Sequence, residues 1–314
     1  MDINLLNIKD ERIIKFLTEN DFDNSFSIFK KAYYNFARPV MPLFIRHWLQ
    51  DRVSRKVELK ENFIWDELAN IVKNKIADLE LYPNNKDAAV ILTHDVDTEE
   101  GFDNIPNILK IEEELGFKSS WNIVPYKYSI DQGIIDLINK SGHEIGIHGY
   151  NHDGKLFYSE KEFSKRVPKI NKAIKKYGAK GFRAPMVHRN LEWLQKLDIE
   201  YDASCFDYDP FQPFPGGTGS IWPFKAGKFI ELPYTLPQDH DLFFMMKRND
   251  IDIWKKKTDW LIENKGIILL ITHPDYLTGK YSELYREYLE FLKEKKDLWF
   301  ALPKELSEHW SRIF

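Results

Sequence analysis

At residues 88–97 the chain reads Ala-Ala-Val-Ile-Leu-Thr-His-Asp-Val-Asp, a short unbroken apolar run that empties into two aspartates. A run of this length, rich in aliphatic residues and without alternation, suits a strand buried on both faces, as in a parallel sheet covered by helices. In extended chain Asp95 and Asp97 face one side. Close carboxylates repel unless a proton or a cation lies between them, so the pair either raises one pKa or recruits a metal. A solvated turn or helix cap is the competing reading of the same residues.

Outward from this strand, short apolar runs alternate with longer amphipathic ones. Strands are expected at Ala88–Thr93, Ser120–Val124, Glu144–Ile147, Gly181–Ala184, Glu200–Ala203, Phe229–Leu232, Ile267–Thr272 and Leu298–Ala301. Helices are expected between them at Ile105–Leu115, Gln132–Lys140, Glu160–Tyr177, Leu191–Leu197, Ile251–Asn264 and Ser282–Lys295. That alternation predicts an α/β fold, a distorted (β/α) barrel of about seven strands. Its active groups should gather at the carboxyl ends of the strands. The turn-rich cluster Leu81-Tyr82-Pro83-Asn84-Asn85-Lys86-Asp87 marks a boundary between an N-terminal helical extension, residues 1–85, and the barrel domain, residues 86–314. In the extension Arg12–Leu17, Met41–Val53 and Phe63–Ile76 carry helical spacing of apolar residues. Residues 33–56 mix Tyr33, Tyr34, Phe36, Phe44 and Trp48 with basic residues. They read as a helical cap on the barrel, with peripheral membrane association as the alternative.

Composition excludes several classes. Of 314 residues, 43% are hydrophobic and 30% charged, as in globular proteins, and the net charge of -4 comes with no long basic block, so nucleic acid is not an expected partner. Cys205 is the single cysteine, which rules out an intrachain disulfide framework or a thiolate zinc site. The start, MDINLLNIKDERII, lacks the apolar core of a secretory signal, and no stretch reaches the roughly 20 apolar residues of a membrane span. The expected location is the cytoplasm.

A second constellation lies at Gly142-His143-Glu144-Ile145-Gly146-Ile147-His148-Gly149-Tyr150-Asn151-His152. A strand ends at His148, and one turn of helix would align it with His152. Two imidazoles and one carboxylate give three protein ligands and leave an open position for water, a catalytic rather than structural arrangement. His143 precedes the strand and reads as structural. Phe206–Phe224 is a long Phe-, Pro- and Gly-rich loop, where Tyr208, Phe211, Phe214 and Trp222 could offer aromatic faces to a ligand or simply pack as an Ω-loop.

The ordered set Thr93-His94-Asp95-Val96-Asp97, His148 to His152, Arg183-Ala184-Pro185, Tyr201-Asp202-Ala203-Ser204 and Leu270-Ile271-Thr272-His273 resembles the polysaccharide deacetylase family over about residues 86–302. The resemblance implies Asp97, His148 and His152 as ligands of one divalent ion, zinc first, with cobalt, nickel or iron accepting the same donors. It implies Asp95 as the base that activates water, Arg183 as its electrostatic support, and His273 as the acid that protonates the departing amine. Many members have adjacent aspartates where this chain has Asp95-Val96-Asp97, which leaves the roles of these two exchangeable. Pro185, Asp202, Asp207, Tyr208 and Trp222 are candidates for substrate contact or tuning, with Asp202 or Asp207 set against His273. The implied activity is hydrolysis of an N-acetyl group on an amino sugar of a polysaccharide, an oligosaccharide or an activated precursor, so the expected partner is an N-acetylated saccharide. Hydrolysis of a non-sugar amide and a catalytically silent carbohydrate-binding protein are the alternatives.

Overall fold

The run at residues 88–97 folds as the central strand of the sheet in the computed structural model, which describes residues 1–6, 31–37, 79–212 and 217–314 with 11, 13, 14, 17, 41, 42, 45, 72, 73, 75 and 76. Ile3–Asn4 is β1, Ala88–Val96 β2, Ser119–Ile123 β3, Glu144–His148 β4, Gly181–Arg183 β5 and Tyr201–Asp202 β6. Phe224–Ala226 is β7, Phe229–Glu231 β8, Ile267–Thr272 β9 and Leu298–Phe300 β10. Helices are α1 Glu99–Asp103, α2 Ile105–Leu115, α3 Gln132–Lys140, α4 Glu160–Tyr177, α5 Leu191–Leu194, α6 Asp252–Glu263, α7 Lys280–Glu294 and α8 Pro303–Ser311.

Every residue of β2 and β9 is buried, which is why both read as unbroken apolar runs. The parallel strands run in the order β9-β2-β3-β4-β5-β6-β8, with β10 beside β3 on one edge of β2. The antiparallel β7 and β1 extend the sheet beyond β8. Irregular chain meets the free edge of β9: the amides of Thr235 and Leu236 donate to the Leu269 carbonyl, and the Ile267 amide donates to Ile221. A barrel closed partly by irregular chain is the distorted (β/α) architecture the sequence predicts.

Alternation along β2 sends neighbouring side chains to opposite faces. Asp95 faces the barrel end, while His94 turns to the helical layer. There its Nε2 lies 2.8 Å from Glu112 of α2, its Nδ1 lies 2.7 Å from Thr272 Oγ1, and its ring stacks on Trp121. His143 is likewise structural, accepting from the Ser119 amide at 3.1 Å. Most of the helical extension expected before residue 80, including Phe44, Trp48 and most of residues 33–56, lies outside the described residues. Among the described residues no helix is long and apolar enough to cross a membrane.

Candidate active site

Asp95 reaches the barrel end from β2. Its Oδ1 accepts a hydrogen bond from Asn122 Nδ2 at 2.9 Å and faces Arg183 Nη1 at 3.6 Å. Parallel register pairs Asp95 with Asn122 and Asn122 with Gly146. A Cβ on Gly146 would stand 2.0 Å from Asn122 Oδ1, so glycine there makes room for the amide that holds Asp95. Burial pushes the Asp95 carboxyl up, but Arg183 above all, then His148 and His273, outweigh it and hold it below the usual carboxylate range.

Just past β2 the backbone turns, the Asp97 amide donating to the Asp95 carbonyl at 3.1 Å. Asp97 Oδ1 comes within 3.2 Å of His148 Nε2, and its Oδ2 within 3.1 Å of His152 Nε2. One ligand atom from each of the three residues lies within 4.8 Å of the others. His148 ends β4 and pairs in register with Arg183, whose carbonyl accepts its Nδ1–H at 3.1 Å. In the neutral ring that bond leaves the lone pair on Nε2. Nε2 and the buried Asp97 Oδ1, for which no hydrogen-bond donor stands among the described residues, then face each other as two electron-pair donors. Such a pair is relieved by a cation, and the donor set fits a divalent one. Burial pushes the Asp97 carboxyl up, yet His152 and His148 hold it well below its ordinary value; burial also lowers His152, favouring the neutral ligand form.

The helical turn expected between His148 and His152 does not form. Gly149, at φ 66°, swings the chain out of the strand with the Pro185 ring packed 2.4 Å from where a Cβ would stand, and His152 itself takes φ 57°. Any larger residue at 149 would meet both the strain and the proline. The two imidazoles still converge, their centroids 5.2 Å apart.

His273 follows β9, and Asp239 holds it twice: Nδ1 to Oδ1 at 2.7 Å and the backbone amide to Oδ2 at 2.7 Å. Burial pulls the imidazole down, but the Asp239 charge and hydrogen bond outweigh it and raise its pKa to about 10. Neither aspartate expected beside His273 makes this contact. Asp202 accepts from Ser204 Oγ at 2.8 Å and pairs in register with Glu231, burial pushing it up to about 6. Asp207 takes Lys257 Nζ at 2.6 Å, and burial pushes it too up to about 6. Trp222 is 1% exposed and donates to the Lys265 carbonyl at 2.9 Å, so its indole is core and offers no open face. Tyr208 is half-buried, its amide on Asp207; Pro185 lines a small pocket with Tyr150, His152 and His188; Phe214 lies outside the described residues. Sequence reasoning missed Asp239 and Asn122, for neither sits in a motif whose spacing announces it.

Residues 83–198 match the polysaccharide deacetylase family model. No curated protein matches the chain. In structure it is similar to a polysaccharide deacetylase from Mycobacterium smegmatis, with TM-score 0.61, 19% identity, and 74% of this chain and 92% of that one covered. It is also similar to one from Pseudomonas aeruginosa PAO1, with TM-score 0.58, 15% identity, and 74% and 93% covered. The Puue allantoinase follows at TM-score 0.55, 15% identity, and 74% and 92% covered. At these identities the likeness is one of fold. Family match and fold agree with the ordered motifs: residues 83–198 match the polysaccharide deacetylase model, and the chain is similar in fold to polysaccharide deacetylases.

Proposed function

We propose that the chain is a metal-dependent hydrolase that removes N-acetyl groups from an amino sugar in a saccharide or its activated precursor. The convergence of Asp97, His148 and His152 within 4.8 Å, beside Asp95, carries this reading. Those three residues would hold a divalent ion, and zinc suits two imidazoles and a carboxylate well. When bound, such an ion polarises the amide carbonyl and lowers the pKa of water at the open position.

The protein's own groups do the proton work. Asp95, kept ionised with its Oδ1 occupied by Asn122 and facing Arg183, takes a proton from the water that attacks the carbonyl carbon. As the carbon–nitrogen bond breaks, His273 gives its Nε2 proton to the departing nitrogen, since an amine leaves poorly as an anion. The products are acetate and a free amine. Two titratable groups driven to opposite protonation states across one site are what acid and base roles require.

The test is metal analysis of purified protein with an acetate-release screen on N-acetylated saccharides, set beside cleavage of cyclic non-sugar amides. Asp95→Asn should retain the metal and lose turnover by about 10²-fold or more. His148→Ala should lose the metal along with activity. Cleavage of non-sugar amides alone would replace the sugar reading, and full activity in both variants would overturn the mechanism.

A further inference from the structure

Of the three candidate ligands, His148 stands on a strand and Asp97 directly after one, but His152 stands in the β4–α4 loop with φ 57°. A residue with a Cβ keeps that left-handed conformation only where its surroundings over-determine it. One restraint is Arg166 of α4, which grips both chain neighbours of His152. Its Nη1 donates to Asn151 Oδ1 at 3.2 Å and to Asp153 Oδ1 at 2.8 Å, and its Nη2 to Asp153 Oδ2 at 2.9 Å. Glu162 fixes the guanidinium in turn, accepting from Nε at 2.7 Å. A second restraint comes from residues 31–37, which lie outside the matched region 83–198. Tyr33–Ala37 forms a π-helical turn there, and the buried Tyr34 ring fills the space beside Gly154, two positions past His152. A Cβ on Gly154 would stand 2.4 Å from Tyr34 Cε1. Asn35 Nδ2 donates to Tyr158 Oη at 2.8 Å, and Lys31 Nζ lies 4.9 Å from the centre of the same ring.

The same segment meets the β5–α5 loop. Tyr34 Oη lies 3.4 Å from Met186 Sδ and 3.4 Å from His188 Nε2, and the rings of Tyr34 and His188 meet edge-on at 5.6 Å. Met186 and Val187 are left-handed as well, at φ 57° and 45°, and Pro185 before them packs against Gly149. One tyrosine therefore bridges the loop that carries His152 and the loop that packs on its start. A ligand on irregular chain must be ordered before it can bind, and whatever orders it beforehand removes that cost from binding. Resting on the reading of Asp97, His148 and His152 as a metal centre, we propose that Tyr34 is a positioning residue for that centre: its ring, together with Arg166, clamps the β4–α4 loop and aims His152 at Asp97. The N-terminal segment then belongs to the metal centre through packing, without supplying a ligand.

The probe is zinc alone, its affinity measured on the full chain by competition with a chromophoric chelator, well below the melting temperature. Tyr34→Ala should weaken zinc binding about tenfold, the lower end of what partners behind metal ligands contribute. Tyr34→Phe keeps the ring and should bind zinc as the native chain does, since the hydroxyl contacts at 3.4 Å are long and weak. In a His152→Ala background the ligand that Tyr34 serves is gone. Adding Tyr34→Ala there should change zinc affinity by less than about twofold, the mark of a residue that acts through His152. Native affinity in Tyr34→Ala overturns the clamp, and a lower melting temperature of the chelated protein beside it would make Tyr34 merely structural. The same tenfold weakening with His152 absent overturns the clamp too. Zinc affinity unmoved by His148→Ala would remove the metal centre and the clamp with it, whereas affinity lost in His148→Ala and native in Tyr34→Ala removes the clamp alone.

Discussion

Burial alone would strip the proton from His273; the Asp239 carboxylate, 2.7 Å from its Nδ1, reverses that tendency and raises the pKa to about 10. The imidazolium thus persists through neutral pH, while Arg183 above all keeps the Asp95 carboxylate ionised. Asp239 acts through His273 and so is a positioning residue. In Asp239→Asn the counter-charge is gone and burial dominates, so the pKa of His273 should fall to or below the ordinary histidine value of about 6.5. The alkaline limb of the kcat profile should move down by about two pH units or more, with KM little changed. At pH 8 the loss should approach the roughly 10² that general acid catalysis contributes, and shrink toward pH 6. A uniform loss at every pH would mean that Asp239 only shapes the loop.

At the scale of elements, Glu144 at the start of β4 ties three parts of the barrel together, accepting from Tyr201 of β6 at 2.9 Å and from the Lys304 amide in the first turn of α8 at 3.1 Å. Burial raises its pKa from an ordinary 4.5 to about 7 despite those two bonds. A raised carboxyl binds its proton more tightly in the folded state, so its contribution is complete below pH 4.5 and is lost as pH rises through about 7. The span corresponds to roughly 3 kcal/mol. Between pH 5 and 8 the melting temperature of the native chain should therefore drop relative to that of Glu144→Gln, by several degrees for a domain of this size; parallel curves would contradict the assignment. The elements themselves were legible where local signals were strong. The bounds of α2, α3 and α4 are those predicted, because Asp131 and Ser159 cap two of them and Gly116 and Gly178 stop two. The two-residue β1, the hairpin strand β7 and the five-residue α1 escaped, being too short for any period to register, while α8 carried a readable signal in Pro303 that went unused. The site divides in the same way. Asp95, Asp97, His148 and His152 sit at strand ends in recognisable spacing, whereas Asp239 and Asn122 join it only through loop placement and sheet register.

Across the whole molecule, the candidate ligands fasten the ends of β2 and β4 on either side of β3, and the proposed acid arrives on β9 from the far side of β2. The family match ends at residue 198, so Asp239 and His273 belong to the C-terminal part of the chain, which only the fold likeness reaches. Occupancy of the three-residue centre should therefore be felt globally, because an ion that binds the folded barrel and not the unfolded chain stabilises the fold by mass action. At a free concentration about 100 times the dissociation constant the gain is roughly 2.7 kcal/mol. For a chain of this size that should raise the melting temperature by about 5 °C. Scanning calorimetry with zinc and with a chelator reads the difference directly. Asp95→Asn, which leaves all three ligands in place, should keep the shift, and His148→Ala should abolish it. A zinc-induced rise of equal size in His148→Ala would place the ion elsewhere on the molecule and remove the physical basis for pairing it with Asp95.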